Sequence, residues 1–256
     1  MRSRRYLTIG IVVVLAAALA VVVWPRGGSK VSAAATTTTT TLAPLTIPPT
    51  TAPLHAFEAA DAIVPSVALY DAPNGPETGD SMPNPTVENV PLAFMVKQHG
   101  PPGWLQVQIS RRPNESTAWI KASDVAIRGV DNRIVIEREA KQLTVYRGMS
   151  SDVLFQVPVA DGAPATPTPL GNFFIDIVVK VDRPTGAYGP YQLSVAGFSD
   201  VLQSFGGGPG QIAIHGTNHP ELIGKFVSNG CIRLKNDDIT ALADLAPVGT
   251  PVQIVA

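Results

Sequence analysis

The chain of 256 residues carries 19 basic and 20 acidic side chains, for a net charge of −1, and charged residues make up only 15% of it. Nothing in that overall balance suggests nucleic-acid binding. The 24 prolines point to β-rich structure with many turns rather than helical bundles, and a single cysteine leaves no internal disulfide.

In chain order, Met1-Arg2-Ser3-Arg4-Arg5-Tyr6 is basic, and residues 7–24 form an uncharged apolar run ended by Pro25-Arg26. A run of that kind suits a membrane span, which takes about 17–25 residues, and exceeds the ~7–15 of a cleavable signal's apolar region. Residues 1–24 are therefore expected to be a signal-anchor, with cleavage after Ala33-Ala34-Ala35 as the alternative. The arginines before the run stay in the cytoplasm, so the remainder of the chain is exported, single-pass at the cell membrane with its folded part outside the cytoplasm. Residues 25–56 read as a linker: Thr36 to Thr41 are all threonine, and Pro44, Pro48, Pro49 and Pro53 come after them. Such a segment buries too little apolar area to fold.

Residues 57–128 alternate short strands and turns. Ser66 to Tyr70 stops at Asp71-Ala72-Pro73-Asn74-Gly75, and Pro91 to Val96 breaks at His99-Gly100-Pro101-Pro102-Gly103. Trp104 to Ile109 alternates cleanly, and Thr117 to Lys121 comes after the turn at Arg111-Arg112-Pro113-Asn114. About five strands in this length suggest a small barrel. The pieces around Trp104 and Trp119 resemble bacterial SH3-like modules, with both tryptophans expected in the core and the module in a packing role.

Residues 131–256 read as a second domain, a β-sandwich. Ile134 to Glu137 and Gln142 to Tyr146 form a hairpin, and Asn172 to Val179 is a long strand. Gln211 to His215 is a strand that ends at Gly216. One helix is expected from Asp237 to Leu245, capped by Asn236, with Val252 to Val255 closing as a strand.

The chemistry-bearing stretch is Ile212-Ala213-Ile214-His215-Gly216-Thr217, running on to Ser228-Asn229-Gly230-Cys231-Ile232-Arg233-Leu234. An unpaired cysteine in an exported chain beside Gly230 and Arg233 reads as a nucleophile, and His215 as the base that takes its proton. The backbone N–H groups of Asn229, Gly230 and Cys231 are candidate oxyanion donors. Arg233 suits a substrate carboxylate or a structural ion pair. His219 lies four residues after His215, but Gly216 to Pro220 is a poor helix, so His219 is taken as a loop residue lining the cleft rather than a metal ligand. No metal and no cofactor are expected.

Residues 131–256 resemble the catalytic domain of the L,D-transpeptidases, the YkuD family. The matching pieces are Thr168-Pro169-Leu170-Gly171, Ile214-His215-Gly216-Thr217, Ser228-Asn229-Gly230-Cys231-Ile232-Arg233-Leu234 and Asn236-Asp237-Asp238. The resemblance implies a wall enzyme acting on peptidoglycan stem peptides. Cys231 would attack after the third residue of a tetrapeptide stem, release D-alanine and pass the acyl group to a second stem as a 3→3 cross-link. His215 would be the base, oriented by a backbone carbonyl such as that of Gly216, and Ser228, Arg233 and Thr217 would belong to the substrate site. Carbapenems are expected to acylate Cys231. The family often has a histidine where Asn229 stands, which bears on acceptor choice and pH dependence. An L,D-carboxypeptidase and a non-catalytic wall-binding protein are the alternatives.

Overall fold

The computed structural model describes residues 55–256. The expected membrane segment, and the linker up to residue 54, lie outside the described residues. Among the described residues no helix is long and apolar enough to cross a membrane.

The first sheet is built from β1 (Phe57–Ala62), β2 (Ser66–Tyr70), β3 (Glu77–Pro83), β4 (Ala93–His99), β5 (Trp104–Gln108), β6 (Thr117–Lys121) and β7 (Val125–Val130), in the order β3-β2-β6-β5-β4-β1-β7. The expected five strands become seven. The edge strands of this order are β3 and β7. Val67, Leu69, Phe94, Leu105, Val107 and Ile120 fill its core. Trp104 and Trp119 are not part of it, a second correction. Alternation puts them on the face opposite Leu105 and Ile120. There Trp104 packs edge-on to Tyr70 and its Nε1–H donates to Asn74 Oδ1 at 3.0 Å.

The second sheet orders its strands β10-β9-β8-β17-β12-β13-β14-β16. These are β8 (Asn132–Glu137), β9 (Gln142–Arg147), β10 (Val153–Pro158), β12 (Gly171–Lys180), β13 (Tyr191–Phe198), β14 (Gln211–His215), β16 (Ile232–Arg233) and β17 (Pro251–Val255). A short parallel pair, β11 (Asp161–Gly162) and β15 (Phe226–Ser228), lies beside it. The long strand β12 joins two halves: Gly171 to Phe174 pair with β17, and from Ile175 onward the partner is β13. Both halves turn apolar side chains into one core, Ile134, Ile136 and Leu143 from one and Ile175, Leu193 and Ile214 from the other. Among the described residues this part is mainly β with one α-helix, as expected. The helix α1 (Asn236–Leu245) adds Ile239 and Leu242 to the core. Its cap differs from expectation: Lys235 holds the N-cap position without a side-chain bond, and the Asn236 side chain is used elsewhere.

The first sheet docks on the face of β12, β13 and β14 opposite this core. Met95 packs with Phe174 and Ala196. Asn114 grips one residue of β13 twice, accepting from Phe198 N–H at 2.8 Å and donating to Phe198 O at 2.9 Å. Glu115 accepts from the Asn172 N–H at 2.7 Å, and Gln108 Nε2 donates to Asn172 O at 2.8 Å.

Candidate active site

Strands β14 and β16 run parallel, with Ile214 opposite Ile232 and His215 opposite Arg233. Ile214, Ile232 and Leu234 are fully buried in the core. Because side chains alternate along a strand, Ala213, His215, Cys231 and Arg233 share the other face. Continuing the register one residue back sets Cys231 beside Ala213. The Cys231 and His215 backbones then lie one strand across and two residues along, about 8 Å apart, which side chains directed into one cleft can span.

His215 is only 3% exposed. Its Nδ1 lies 2.6 Å from Gly216 O, a contact made by an Nδ1–H donor, which leaves Nε2 with a free lone pair. Burial pushes the imidazole down to about 4, against the pull of the Gly216 carbonyl, and the Arg233 charge adds to the lowering. Burial likewise pushes the Cys231 thiol up, while the Ala213 backbone and Arg233 pull it down. At neutral pH the pair therefore rests as a neutral thiol and a neutral imidazole.

The loop carrying the thiol is clamped from beneath. Ser228 Oγ donates to Cys231 O at 2.5 Å and accepts from Gly230 N–H at 3.1 Å. The Gly230 N–H is thus engaged inside the loop, and Ser228, 1% exposed, braces the loop from within. Thr168 Oγ1 accepts from Gly162 N–H and donates to Gly230 O, both at 2.9 Å, and Thr166 Oγ1 donates to Ser228 O at 3.0 Å. Gly230 has φ 113, a region that L side chains rarely adopt.

Thr217 is buried; its N–H donates to Asn236 Oδ1 at 2.9 Å, and its Oγ1 accepts from His219 N–H at 3.0 Å. His219 is exposed and its Nδ1 sits 3.0 Å from Glu221 Oε1, so among the described residues its ring contacts Glu221 rather than Cys231 or His215. Asn229 is exposed. Arg233 faces the cleft with a buried Nε that no described group partners. Among the described residues no group of three or more His, Cys, Asp and Glu is arranged to hold a metal.

Three residues outside the sequence-derived candidates complete the cleft. The Tyr188 ring lies 4.9 Å from that of His215, tilted by 59°. Asn236 ties the His215 loop to the 182–190 loop, accepting from Thr217 N–H and donating to Pro184 O at 3.4 Å. Thr168 is the third. Thr168 and Asn236 stand in the family-like motifs, but only the fold reveals what they hold; Tyr188 carries no such signal.

A family model described as the L,D-transpeptidase catalytic domain (YkuD) matches residues 131–254. The "Putative L,D-transpeptidase YkuD" of Bacillus subtilis is 39% identical over 121 residues, covering 47% of this chain and 64% of that protein. The protein of the same description in Bacillus licheniformis is 31% identical over 179 residues, covering 67% of this chain and 94% of that protein. Among solved structures, an L,D-transpeptidase from Mycobacterium smegmatis is 20% identical with a TM-score of 0.39, covering 64% of this chain and 82% of that one.

Proposed function

The chain belongs to the YkuD family of L,D-transpeptidase catalytic domains, and we propose that it forms 3→3 cross-links in peptidoglycan through an acyl-enzyme on Cys231. The observation that carries the reading is the shared face of β14 and β16. It gives one thiol a neighbouring imidazole whose Nδ1 is already committed to Gly216 O and whose Nε2 is free.

The order of steps comes from the resting protonation states. As a donor stem enters, the carbonyl carbon of its third residue approaches Sγ. The thiol proton passes to His215 Nε2 as the S–C bond forms, so the charged pair exists only while the reaction consumes it. The Cys231 N–H is a candidate donor to the oxyanion, since the Gly230 N–H is engaged. Collapse breaks the C–N bond, and His215 returns the proton to the departing D-alanine nitrogen. The side-chain amine of a second stem then attacks the thioester, loses its proton to His215 and restores the Cys231 thiol. The Arg233 guanidinium, with its buried Nε unpartnered, suits a donor carboxylate. We place the enzyme outside the cytoplasm, anchored by residues 1–24, on the basic start and apolar run alone.

The test is incubation of the full chain in detergent with disaccharide-tetrapeptide, with intact mass and muropeptide products recorded beside Cys231→Ala. A Cys231-dependent adduct with 3→3 dimers is expected. An adduct that decays only to tripeptide would reassign the protein as a carboxypeptidase. No adduct, with a carbapenem also failing to label the thiol, would leave a wall-binding protein.

A further inference from the structure

The loop that carries Tyr188 is built tightly against the loop that carries the base. Val181 N–H donates to Pro190 O at 2.8 Å and closes its ends, and inside it Gly186 N–H donates to Arg183 O at 2.9 Å and Gly189 N–H to Gly186 O at 3.1 Å. Gly189, with φ 63, lies so near Gly216 that a Cβ on it would fall 2.6 Å from Gly216 Cα and 2.3 Å from Asn236 Oδ1. A Cβ on Gly216 would in turn fall 2.8 Å from Gly189 Cα. Neither position admits a side chain. That close approach, together with the Asn236 tie, fixes the neighbouring Tyr188 against the ring of His215, with the centroids 4.9 Å apart.

Exposure divides the two rings: Tyr188 is 44% exposed and His215 only 3%. The tyrosine is the outer layer and the imidazole the inner one. The contact is made by the ring of Tyr188, so a phenylalanine can make it too. Charge on the imidazole finds no carboxylate to support it. Asp182 and Arg183 share the loop of Tyr188, Glu221 follows Gly216, and Asp237 and Asp238 begin α1, yet among these and Arg233 of β16 only Arg233 bears on the ring, and it repels a proton. Of the other titratable neighbours, Cys231 is held as a neutral thiol by burial and His219 is engaged with Glu221. What keeps the ring neutral is chiefly the exclusion of water.

We propose that Tyr188 is a positioning residue for the base: its ring covers one face of the His215 imidazole against water, while Nε2 stays free for the Cys231 proton. The role rests on the reading of His215 as the base of Cys231. Without the cover, water reaches the ring and solvates its protonated form, so the imidazole moves from about 4 back toward 6.5. A base that takes its proton at higher pH is lost earlier on acidification, so the acid limb of Cys231 acylation moves up with it.

The full chain in detergent, with its four histidines labelled with ¹³C at Cε1, is titrated by NMR, and His215 is assigned from the signal missing in His215→Gln. Wild type and Tyr188→Phe are expected to titrate together at about 4. Tyr188→Ala is expected to titrate higher by about one pH unit or more, and Tyr188→Leu, which keeps bulk without an aromatic face, to stay within about half a unit of wild type. The acid limb of Cys231 acylation by a carbapenem should shift in the same order, which a loss of fold stability alone would not produce. Tyr188→Ala titrating with wild type overturns the proposal, and so does Tyr188→Phe or Tyr188→Leu shifting as far as Tyr188→Ala. The titration needs no turnover, so its failure is distinct from failure of the transpeptidase reading, which would show as a wild-type Cys231 that does not acylate.

Discussion

Thr168→Val removes a single hydroxyl from beneath the nucleophile loop and keeps the side chain's shape. Thr168 is 1% exposed, and its Oγ1 is the only group bridging the Gly162 N–H to the Gly230 carbonyl among the described residues. Valine leaves a buried donor and a buried acceptor without partners. Each orphan costs about 1–3 kcal/mol, so the variant should lose about 2–6 kcal/mol of stability. Water cannot readily repair the loss, because the backbone packs closely there: a Cβ on Gly162 would lie 2.3 Å from Thr168 N. Thr168→Ser keeps both hydrogen bonds and drops one methyl, at about 1 kcal/mol. Catalysis should rank the variants in the same order. A released Gly230 carbonyl lets the adjoining Cys231 drift, and a misplacement on the order of 1 Å can cost about a hundredfold in rate. Denaturant melts and Cys231 acylation rates, run on wild type and both variants, test this. Thr168→Val within about 0.5 kcal/mol of wild type and acylating at the wild-type rate would show that the bridge does not hold the loop.

The resting pair makes a pH prediction. With His215 held down to about 4, acylation should lose its base only as pH falls toward 4, not near the ordinary histidine value of 6.5. Iodoacetamide labelling of Cys231 should stay slow at pH 7 and climb above pH 9, because burial raises the thiol; labelling already on a plateau at pH 7 would establish a resting thiolate. Asn236→Ala removes the acceptor of Thr217 N–H and the donor to Pro184 O, and should cost about 1–3 kcal/mol. Asn236→Asp keeps the acceptor, so its melt should lie between those of alanine and wild type. Asp176 is raised by burial to about 6 from 3.8, so its native state holds a proton that the unfolded chain has released. Its contribution is intact below pH 3.8 and is lost as pH rises through 6. Asp176→Asn should therefore match wild type at pH 3 and exceed it at pH 8 by up to about 3 kcal/mol, read from melts at both pH values.

Legible in the amino-acid order is whatever writes itself as local pattern. The alternation of Ile212 and Ile214 with Ala213 and His215 is kept in the packing: all four are buried, and the isoleucines are the two that join the core. The hairpin of β8 and β9 and the helix α1 are equally plain. Strand β1 is not, because Phe-Glu-Ala-Ala-Asp-Ala has no β-branched residue; it is a strand because β4 and β7 pair with it on either side. Strand β3 is polar and mostly exposed, an edge with no alternation to detect. Asn236 misleads for a physical reason. Asparagine before an acidic helical turn is a strong cap signal, yet its carboxamide is drawn to Thr217 by a loop distant in sequence. The same limit hides Ser228 and Gly230, whose residue types suit a ligand site but whose hydrogen bonds close on each other.

The turn at Arg111-Arg112-Pro113-Asn114 reads as punctuation between strands, and it is the clasp of the two-sheet architecture. Arg112 donates to Leu202 O at 2.9 Å and lies over the Phe198 ring, while Asn114 holds the backbone of Phe198. These bonds land on β13 and on the loop before β14, the strand that ends in His215. The first sheet also covers Phe174, which is fully buried, and a phenylalanine returned to water costs about 1.5–3 kcal/mol. A module that merely tethered a wall ligand would have no need of an apolar contact and several hydrogen bonds on the strands that build the cleft. The sheet face opposite the core thus has two uses: one end of it carries His215, Cys231 and Arg233, and the rest is the floor on which the first sheet stands.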